Sequence, residues 1–442
     1  MGIFKAYDIR GIVPGELDEA KAEAIGRAFA RYIDKSPILA GRDMRLSSPS
    51  LQGALIRGMT AAGADVLDAG LISTPMLYLG VGRFETAAGV MVTASHNPGR
   101  YNGFKMCKAQ AFPMSETSGL PEVKELAELG VPDAKRKGSV KALDLRDLYE
   151  THVAAFARIE KRVKVVVDAS NGASGITLSG IFRRLDAELV PLYFEPDGRF
   201  PHHEPNPLKE ENLRDLAAAV KKEKAAFGAC LDGDADRCVF VDEKGTAIPG
   251  DIMTALIAAR LLEEGGPTAI VYDLRSSHAV PEEIAKRGGK AIRERVGHSF
   301  IKTTMREHGA AFAGELSGHY YFRDHFFADC GEIALMKVLS LVSSSGKPLS
   351  ALVKPLRKYF LSGEINFHIE DKDGKIRELA DVFRDAKIDD LDGITAEYAD
   401  WWFNVRKSNT EPMLRLNLEG KTKKAKDEGM KRILKVLGKP EE

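Results

Sequence analysis

The sequence has no excess of charge of either sign, because its 442 residues contain 64 Lys and Arg against 64 Asp and Glu. Proteins that bind nucleic acid or a membrane surface usually carry a basic excess, so this balance argues against both kinds of partner. No apolar run approaches the roughly 18 residues that a membrane span requires, and the N-terminus lacks the hydrophobic region of a secretory signal. An anionic small-molecule substrate remains open, since cations can cluster locally within a neutral total.

Cysteine is also scarce, and its spacing is uninformative for metal or disulfide chemistry. The cysteines are Cys107, Cys230, Cys238 and Cys330, and no two of them form a CxxC pair. Four widely spaced cysteines are too few for a disulfide framework in a chain of this length. We therefore expect reduced core thiols in a cytoplasmic protein.

The pattern of predicted secondary structure changes along the chain. Short β-branched strands alternate with amphipathic helices in three successive stretches, which is the pattern of α/β units over a largely parallel sheet. From about residue 360, segments with period-two alternation predict antiparallel strands with two helices, and so a smaller α+β domain. Length alone, at about 150 residues per domain, predicts about three domains. The change of pattern near residue 360 raises the predicted number of domains to four, at residues 1–145, 146–250, 251–358 and 359–442.

The first candidate site is the loop TASHNP at residues 93–98, which directly follows a predicted buried strand. Ser95 should thus lie at the carboxyl end of the sheet, the edge at which open α/β sheets bind ligands. A hydroxyl nucleophile needs a partner to move its proton and cations to hold phosphate, and His96 and Lys105 follow it. The absence of a G-x-S-x-G elbow disfavours a serine hydrolase, and an ordinary polar loop is the alternative.

The second candidate site is the acidic loop DGDADR at residues 232–237, between two apolar predicted strands. Its aspartates, Asp232, Asp234 and Asp236, repel one another unless a cation neutralises them, so the loop predicts a divalent metal site. An EF-hand calcium loop would have the same spacing, but Arg237 stands where that loop requires glycine. Carboxylates supplemented by a phosphate oxygen favour Mg²⁺.

Two further loops carry polar side chains in patterns suited to ligands. The loop GELSGH at residues 314–319 supplies a carboxylate, a hydroxyl and an imidazole, the mixed set that a polyol such as a sugar needs. The loop RKSNTEP at residues 406–412 offers Arg406 to fork two phosphate oxygens, with hydroxyl and amide donors beside it. Taken singly, each loop is also compatible with an ordinary turn.

Together these loops, in this order and spacing, closely resemble those of the α-D-phosphohexomutase superfamily, in particular its phosphomannomutase/phosphoglucomutase branch. The resemblance also covers YDIRG at residues 7–11, GRD at 41–43, GLISTP at 70–75 and FPHHEPNP at 200–207. It implies three similar mixed-sheet α/β domains followed by a smaller α+β, TATA-binding-protein-like domain, arranged around a central cleft. It also implies Mg²⁺, a hexose 1,6-bisphosphate activator and a sugar phosphate substrate. We expect no nucleic-acid or membrane partner, and a monomer or weak homo-oligomer.

The resemblance further implies a role for each site residue. The residues implied to hold the metal, with Ser95 also carrying the phosphoryl group, are Ser95, Asp232, Asp234 and Asp236. Those implied to surround the transferring phosphate or move protons are Arg10, His96, Lys105 and Arg237. Those implied to bind substrate are Tyr7, Arg275, His298, Glu315, Ser317 and His319. Those implied to clamp the phosphate that is not reacting are Arg406, Ser408, Asn409 and Thr410. Several relatives carry lysine where this chain has Arg275, which disfavours direct proton transfer there.

The choice of substrate depends on two positions. Leu316 and Asn409 count against a phosphoglucosamine mutase, which usually has Gln at the first and a SGTEP-type terminal loop. No residue visibly reads the configuration at C2, so we expect a phosphomannomutase that also accepts glucose phosphates. The alternatives are a phosphoglucosamine mutase, a metal-dependent sugar phosphatase and a non-catalytic sugar-phosphate-binding protein.

Overall fold

The computed structural model describes residues 2–408 and 413–440, which form four sheets with their helices. The first three sheets mix parallel and antiparallel strands, whereas the last is antiparallel throughout. This confirms the predicted fold class, three similar α/β domains followed by a smaller α+β domain. Within the described residues, no helix is both long and apolar enough to cross a membrane.

The first domain is built on the largest sheet. Its elements are β1 (Ile9–Ile12), α1 (Glu19–Ile33), β2 (Ile38–Arg42), α2 (Ser48–Ala61), β3 (Val66–Leu71), α3 (Thr74–Arg83), β4 (Ala88–Val92), β5 (Tyr101–Lys108), β6 (Phe112–Pro113), α4 (Leu120–Leu129) and β7 (Val140–Ala142). The strand order is β1-β5-β4-β2-β3-β7, with β6 paired to β5. Gly103 permits the close pairing of β5 with β1, because a Cβ there would lie 1.9 Å from the carbonyl oxygen of Ile9. This pairing sets Arg10 on the strand beside Lys105.

The second and third domains each have a five-stranded sheet. The elements of the second are α5 (Arg146–Ala154), β8 (Lys164–Asp168), α6 (Leu178–Phe182), β9 (Glu188–Leu192), α7 (Arg214–Glu223), β10 (Phe227–Leu231), β11 (Cys238–Asp242) and β12 (Ala247–Ile248). The elements of the third are α8 (Gly250–Gly265), β13 (Ala269–Asp273), α9 (Ala279–Lys286), β14 (Lys290–Glu294), α10 (His298–His308), β15 (Phe312–Gly314), β16 (Tyr320–Phe322), β17 (Ala328–Asp329), α11 (Gly331–Ser345) and α12 (Leu349–Val353). Their strand orders are β12-β11-β10-β8-β9 and β14-β13-β15-β16-β17.

The three larger sheets share one arrangement at the place where the candidate site loops begin. In each sheet a buried strand (β4, β10 or β15) pairs in parallel with one neighbour and antiparallel with the strand that follows it in the chain. The loop at that reversal is the TASHNP loop of residues 93–98 in the first domain (the serine loop) and the acidic loop of residues 232–237 in the second. In the third domain it is the GELSGH loop of residues 314–319 (the polar loop). The fold therefore presents equivalent loops from three domains at the carboxyl ends of buried strands.

The fourth domain has an antiparallel sheet with two helices. Its elements are β18 (Phe360–Phe367), α13 (Lys372–Val382), β19 (Lys387–Asp389), β20 (Ile394–Glu397), β21 (Trp401–Lys407), β22 (Leu414–Gly420) and α14 (Lys423–Leu437). The strand order is β18-β22-β21-β20-β19, and the terminal loop connects β21 to β22. The apolar core of this domain is separate, whereas one continuous cluster of buried side chains runs through the first three domains.

Candidate active site

The serine loop is held by a buried arginine to which no sequence pattern pointed. Arg45 is fully buried and donates hydrogen bonds of 2.6–3.0 Å to the carbonyl oxygens of Ser95, Asn97, Pro98 and Tyr101. Its Nε pairs with Asp43 at 3.1 Å, and Asp43 is buried as well. Ser95 has a φ of 49°, in the left-handed region that a residue with a side chain seldom occupies. The arginine thus holds the loop in a conformation that is unfavourable in isolation.

The serine hydroxyl lies directly against the acidic loop of the second domain. Ser95 Oγ donates to Asp232 Oδ2 at 2.7 Å, and the amide of Ser95 donates to Thr93 Oγ1 at 2.9 Å. Thr74, at the start of α3, makes a second contact across the domain boundary. Its hydroxyl donates to Asp234 Oδ2 at 2.5 Å and its amide to the carbonyl oxygen of Asp234 at 3.0 Å. The first two domains are therefore joined at this pair of loops.

The aspartates of the acidic loop form a group that fits a hard metal ion. Asp232, Asp234 and Asp236 are at most 1% exposed, and their carboxylates offer oxygens within 4.8 Å of one another. In the described part of the chain, Asp234 Oδ1 and Asp236 Oδ1 are buried and have no hydrogen-bond partner. Burial and the two neighbouring carboxylates raise the pKa of Asp232 well above its usual range. Orphaned carboxylate oxygens in this arrangement are the ligands that Mg²⁺ and similar ions prefer.

Cationic side chains surround the same carboxylates. Lys105 Nζ lies 2.7 Å from Asp234 Oδ2 and also contacts Asp236. Burial opposes the charged form of Lys105, but these two carboxylates outweigh burial and raise its pKa. Arg10 donates to Asn97 Oδ1 at 2.6 Å and to Asp8 Oδ2 at 2.5 Å, so its guanidinium faces the serine loop.

His96 and His319 are the imidazoles nearest to this centre. His96 Nδ1 lies 3.4 Å from Ser95 Oγ, and burial is the main cause of its pKa falling well below the usual range. His319 belongs to the polar loop, and its Nε2 accepts a hydrogen bond from Arg237 Nε at 3.2 Å. The same Nε2 lies 3.4 Å from Asp236 Oδ1, so the polar loop of the third domain reaches the acidic loop of the second.

Glu315 and Ser317 of the polar loop lie close to His319. Ser317 Oγ is 3.0 Å from His319 Nδ1, and Glu315 is buried and accepts a hydrogen bond from the hydroxyl of Tyr321. Tyr7 reaches across from the first domain, donating to the carbonyl oxygen of Val296 at 3.1 Å. The ring of Tyr7 lies edge to face against His298, with 5.4 Å between the centroids.

Arg275 connects the third domain to the fourth, where it shares a carboxylate with Arg406. Arg275 Nη2 pairs with Asp273 Oδ2 at 2.6 Å and lies 3.8 Å from Glu315 Oε2. Arg406, at the end of β21, is 2% exposed, and both arginines reach the carboxylate of Glu364. The amide of Ser408 donates to the carbonyl oxygen of Met413 at 2.9 Å. Asn409 and Thr410 lie outside the described residues.

The structure brings the serine loop, the acidic loop, the polar loop, Arg275 and Arg406 into one continuous set of contacts. Ser95 touches the acidic loop, Arg237 of that loop touches His319, and Arg275 lies between the polar loop and Arg406. Arg45 and Glu364 are the additions that sequence patterns missed. Arg45 lies two residues beyond the GRD segment at residues 41–43, which is part of the family resemblance but does not include it.

Comparison with known proteins bears on the whole chain. Models of the phosphoglucomutase/phosphomannomutase family match as alpha/beta/alpha domain I at residues 1–127, domain II at 147–245, domain III at 249–359 and the C-terminal domain at 364–436. The chain is 42% identical to the phosphomannomutase of Methanocaldococcus jannaschii, with 99% of this chain and 98% of that protein covered. It is 40% identical to the phosphohexose mutases of Xanthomonas campestris pv. campestris, with 94% of each covered.

Solved structures of similar proteins share this fold over nearly the whole chain. A phosphoglucomutase/phosphomannomutase family protein from Burkholderia thailandensis has a TM-score of 0.91 at 32% identity, covering 99% of this chain and 98% of that one. The parafusin phosphoglucomutase of Paramecium, at 17% identity and a TM-score of 0.75 over 98% of this chain and 94% of that one, supports the fold alone. This fold, in which four domains carry these loops, is that of the α-D-phosphohexomutases. Within that class, the chain belongs to the phosphoglucomutase/phosphomannomutase family.

Proposed function

We propose that the protein is a phosphomannomutase that also accepts glucose phosphates. It interconverts hexose 1-phosphate and hexose 6-phosphate through a phosphorylated Ser95 and a hexose 1,6-bisphosphate. The observation that carries this proposal is the placement of the Ser95 hydroxyl, 2.7 Å from Asp232 in a buried acidic loop and within reach of the polar loop through Arg237. A serine, a carboxylate group and a polyol-binding loop at one point suit phosphoryl transfer to a sugar.

The chain's own residues account for the transfer as follows. The bond between phosphorus and Ser95 Oγ breaks as a bond forms to the free hydroxyl of the bound hexose phosphate. That hydroxyl gives up its proton and the departing Ser95 Oγ takes one up, and His96 and Lys105 are the groups that we assign to this proton movement. The bisphosphate then turns over within the cleft and returns its other phosphoryl group to Ser95, which leaves the isomeric monophosphate. Arg10 and Arg237 flank the transferring group and offset its charge.

Asp232, Asp234 and Asp236 would hold Mg²⁺ together with an oxygen of phosphorylated Ser95. When bound, Mg²⁺ supplies positive charge that stabilises the charge developing on the transferring phosphoryl group. Lys105, which contacts two of these carboxylates, keeps part of their charge neutralised and holds them together.

Substrate binding is assigned to the third and fourth domains. We propose that Glu315 and Ser317 bind the O3 and O4 hydroxyls, which the site must recognise in both orientations of the sugar. The residues proposed to complete the sugar pocket are Tyr7, Arg275, His298 and His319. Those proposed to clamp the phosphate that is not reacting are Arg406, Ser408, Asn409 and Thr410. Arg406 suits this role because a guanidinium can donate two parallel hydrogen bonds to phosphate.

The test is a turnover assay with mannose 1-phosphate, Mg²⁺ and a trace of hexose 1,6-bisphosphate, with glucose and glucosamine 1-phosphates measured beside it. We expect mannose 6-phosphate, slower or equal turnover of glucose 1-phosphate, and little with glucosamine 1-phosphate. Ser95→Ala should abolish turnover, whereas Ser179→Ala, at an exposed serine of α6, should not. Release of free phosphate without mannose 6-phosphate would favour a phosphatase. Full activity of Ser95→Ala would refute the phosphoserine mechanism.

We also propose a cytoplasmic location, a monomeric or weakly homo-oligomeric state, and domain boundaries at residues 1–145, 146–250, 251–358 and 359–442. The four cysteines are free and buried, which is consistent with a reducing compartment. Light scattering after size-exclusion chromatography measures the oligomeric state directly.

A further inference from the structure

A single carboxylate in the fourth domain lies among three guanidinium groups. Glu364, on β18, is 3.4 Å from Arg275 Nη1, 3.3 Å from Arg406 Nη2 and 3.1 Å from Arg415 Nη1. Arg275 belongs to the third domain, whereas the other residues belong to the fourth. No sequence motif includes Glu364, and it bridges the two domains between Arg275, which was assigned to the sugar pocket, and Arg406, which was assigned to the non-reacting phosphate.

The arginines at this point repel one another. Burial lowers the pKa of Arg406, and the charge of Arg275 lowers it further, whereas Glu364 opposes both effects. Partial burial opposes ionisation of Glu364, whose side chain is 27% exposed, but the three arginines outweigh this effect and lower the pKa of that carboxyl. The carboxylate is therefore ionised at neutral pH and offsets the repulsion that would separate the guanidiniums.

Glu364 pairs with one terminal nitrogen of Arg275 and one of Arg406, while Asp273 pairs with the other terminal nitrogen of Arg275. In the described part of the chain, the Nε atoms of Arg275 and Arg406 are buried without a hydrogen-bond partner. Among residues 2–408 and 413–440, the hydrogen bond of Arg406 Nη1 is one of 3.3 Å to the carbonyl oxygen of Lys407. Buried donors without acceptors are costly, so an anion with several oxygens is the ligand that this arrangement lacks.

We propose that Glu364 is a positioning residue for substrate phosphate: it holds Arg275 and Arg406 side by side across the domain boundary, so that both donate to one phosphate group. The inference rests on the proposed function of this cleft as a hexose phosphate site. Holding the two cations together before the ligand arrives lowers the cost of ordering them when it binds. Glu364 itself makes no contact with substrate in this scheme.

Glu364→Gln tests the proposal, because it keeps the size of the side chain and removes its charge. We expect KM for mannose 1-phosphate to rise about tenfold, as loss of a charge-assisted interaction predicts, while kcat changes less than about threefold. Glu364→Asp keeps the charge on a shorter side chain and should give a smaller rise. The matched control is Glu370→Gln, at an exposed carboxylate beyond the end of β18, and it should leave KM unchanged.

A binding measurement separates this proposal from the proposed function. Calorimetry with glucose 6-phosphate in a Ser95→Ala background should show weaker binding when Glu364→Gln is added, with an unchanged melting temperature. Unchanged or tighter binding would overturn the positioning role, since tighter binding means that the carboxylate competes with phosphate. If wild type showed no mutase turnover but Glu364→Gln still weakened binding, the proposed function would fail and the role of Glu364 would stand.

Discussion

Replacing Arg45 by lysine tests how the serine loop is positioned. Lysine keeps a positive charge next to Asp43, but its single ammonium cannot reach the four carbonyl oxygens that the guanidinium spans. The loop should then relax from the left-handed conformation of Ser95 and displace its hydroxyl from Asp232. A displacement of about 1 Å costs on the order of 100-fold in rate, so we expect kcat of Arg45→Lys to fall by about that factor.

The effect on stability follows from burial. A hydrogen bond to a charged group contributes about 1.5–3 kcal/mol, so loss of two such bonds in Arg45→Lys destabilises the first domain by about 3 kcal/mol or more. Arg45→Met removes the charge as well and leaves Asp43 buried without its partner, which costs about 3–5 kcal/mol for the broken ion pair in addition to the lost carbonyl contacts. For a domain of this size, the melting temperature of Arg45→Met should fall by about 10 °C or more.

The assay combines steady-state kinetics, thermal unfolding and intact mass measurement of Ser95 phosphorylation after incubation with glucose 1,6-bisphosphate. Arg45→Lys should remain folded at 25 °C, accept phosphate slowly and turn over slowly, while KM changes little. Arg183→Lys, at an exposed arginine, is the control for the change of side chain and should behave as wild type. If Arg45→Lys had wild-type kcat and a wild-type melting temperature, the hydrogen bonds of Arg45 would not position the serine.

Three other predictions test the metal, a buried acid and a glycine. Chelation of the metal should abolish turnover. Added Mg²⁺ should restore turnover in wild type but not in Asp234→Asn, and restoration in that variant would contradict the assigned metal ligands. Burial raises the pKa of Glu332 to about 7. The protonated carboxyl therefore stabilises the folded state fully below pH 4.5, and this stabilisation, about 3 kcal/mol, is lost as the pH rises through 7. Glu332→Gln should therefore gain melting temperature relative to wild type at pH 8 but not at pH 4.5, and a gain independent of pH would show another cause. Gly103→Ala forces a Cβ against the carbonyl oxygen of Ile9 and should destabilise the first domain by about 2–3 kcal/mol, whereas Gly53→Ala, with its nearest neighbour atom at 3.7 Å, should not.

The sequence was most informative where a strand leads into a loop. Strands β8 and β11 have the bounds that their apolar runs predict, and the loops after β4, β10 and β15 carry the residues that pattern and resemblance identified. The amphipathic pattern of residues 208–224 predicts a single helix. The helix begins instead at Arg214, after a 3-10 turn, because the Asn212 side chain donates to the carbonyl oxygens of Glu204 and Asn206. Neither Arg45 nor Glu364 could be predicted, because their partners lie about 50 residues away or in another domain. Such contacts produce no recognisable pattern of nearby residues in the sequence.

The fourth domain is joined to the others differently from the way the first three are joined to one another. Single polar side chains therefore matter most for the placement of the fourth domain. The first three domains share buried apolar side chains, so their relative placement is stabilised by the hydrophobic effect as well as by contacts such as Thr74 with Asp234. Among the described residues, no buried side chain of that cluster belongs to the fourth domain, whose own core is separate. Contacts between the third and fourth domains include Arg275 with Glu364, the stacked rings of His278 and Trp402, and the ion pair of Arg293 with Asp389. Polar and partly exposed contacts contribute little individually, so the position of Arg406 relative to the third domain depends on a few side chains. Glu364 is one of them, because it contacts Arg275, Arg406 and Arg415.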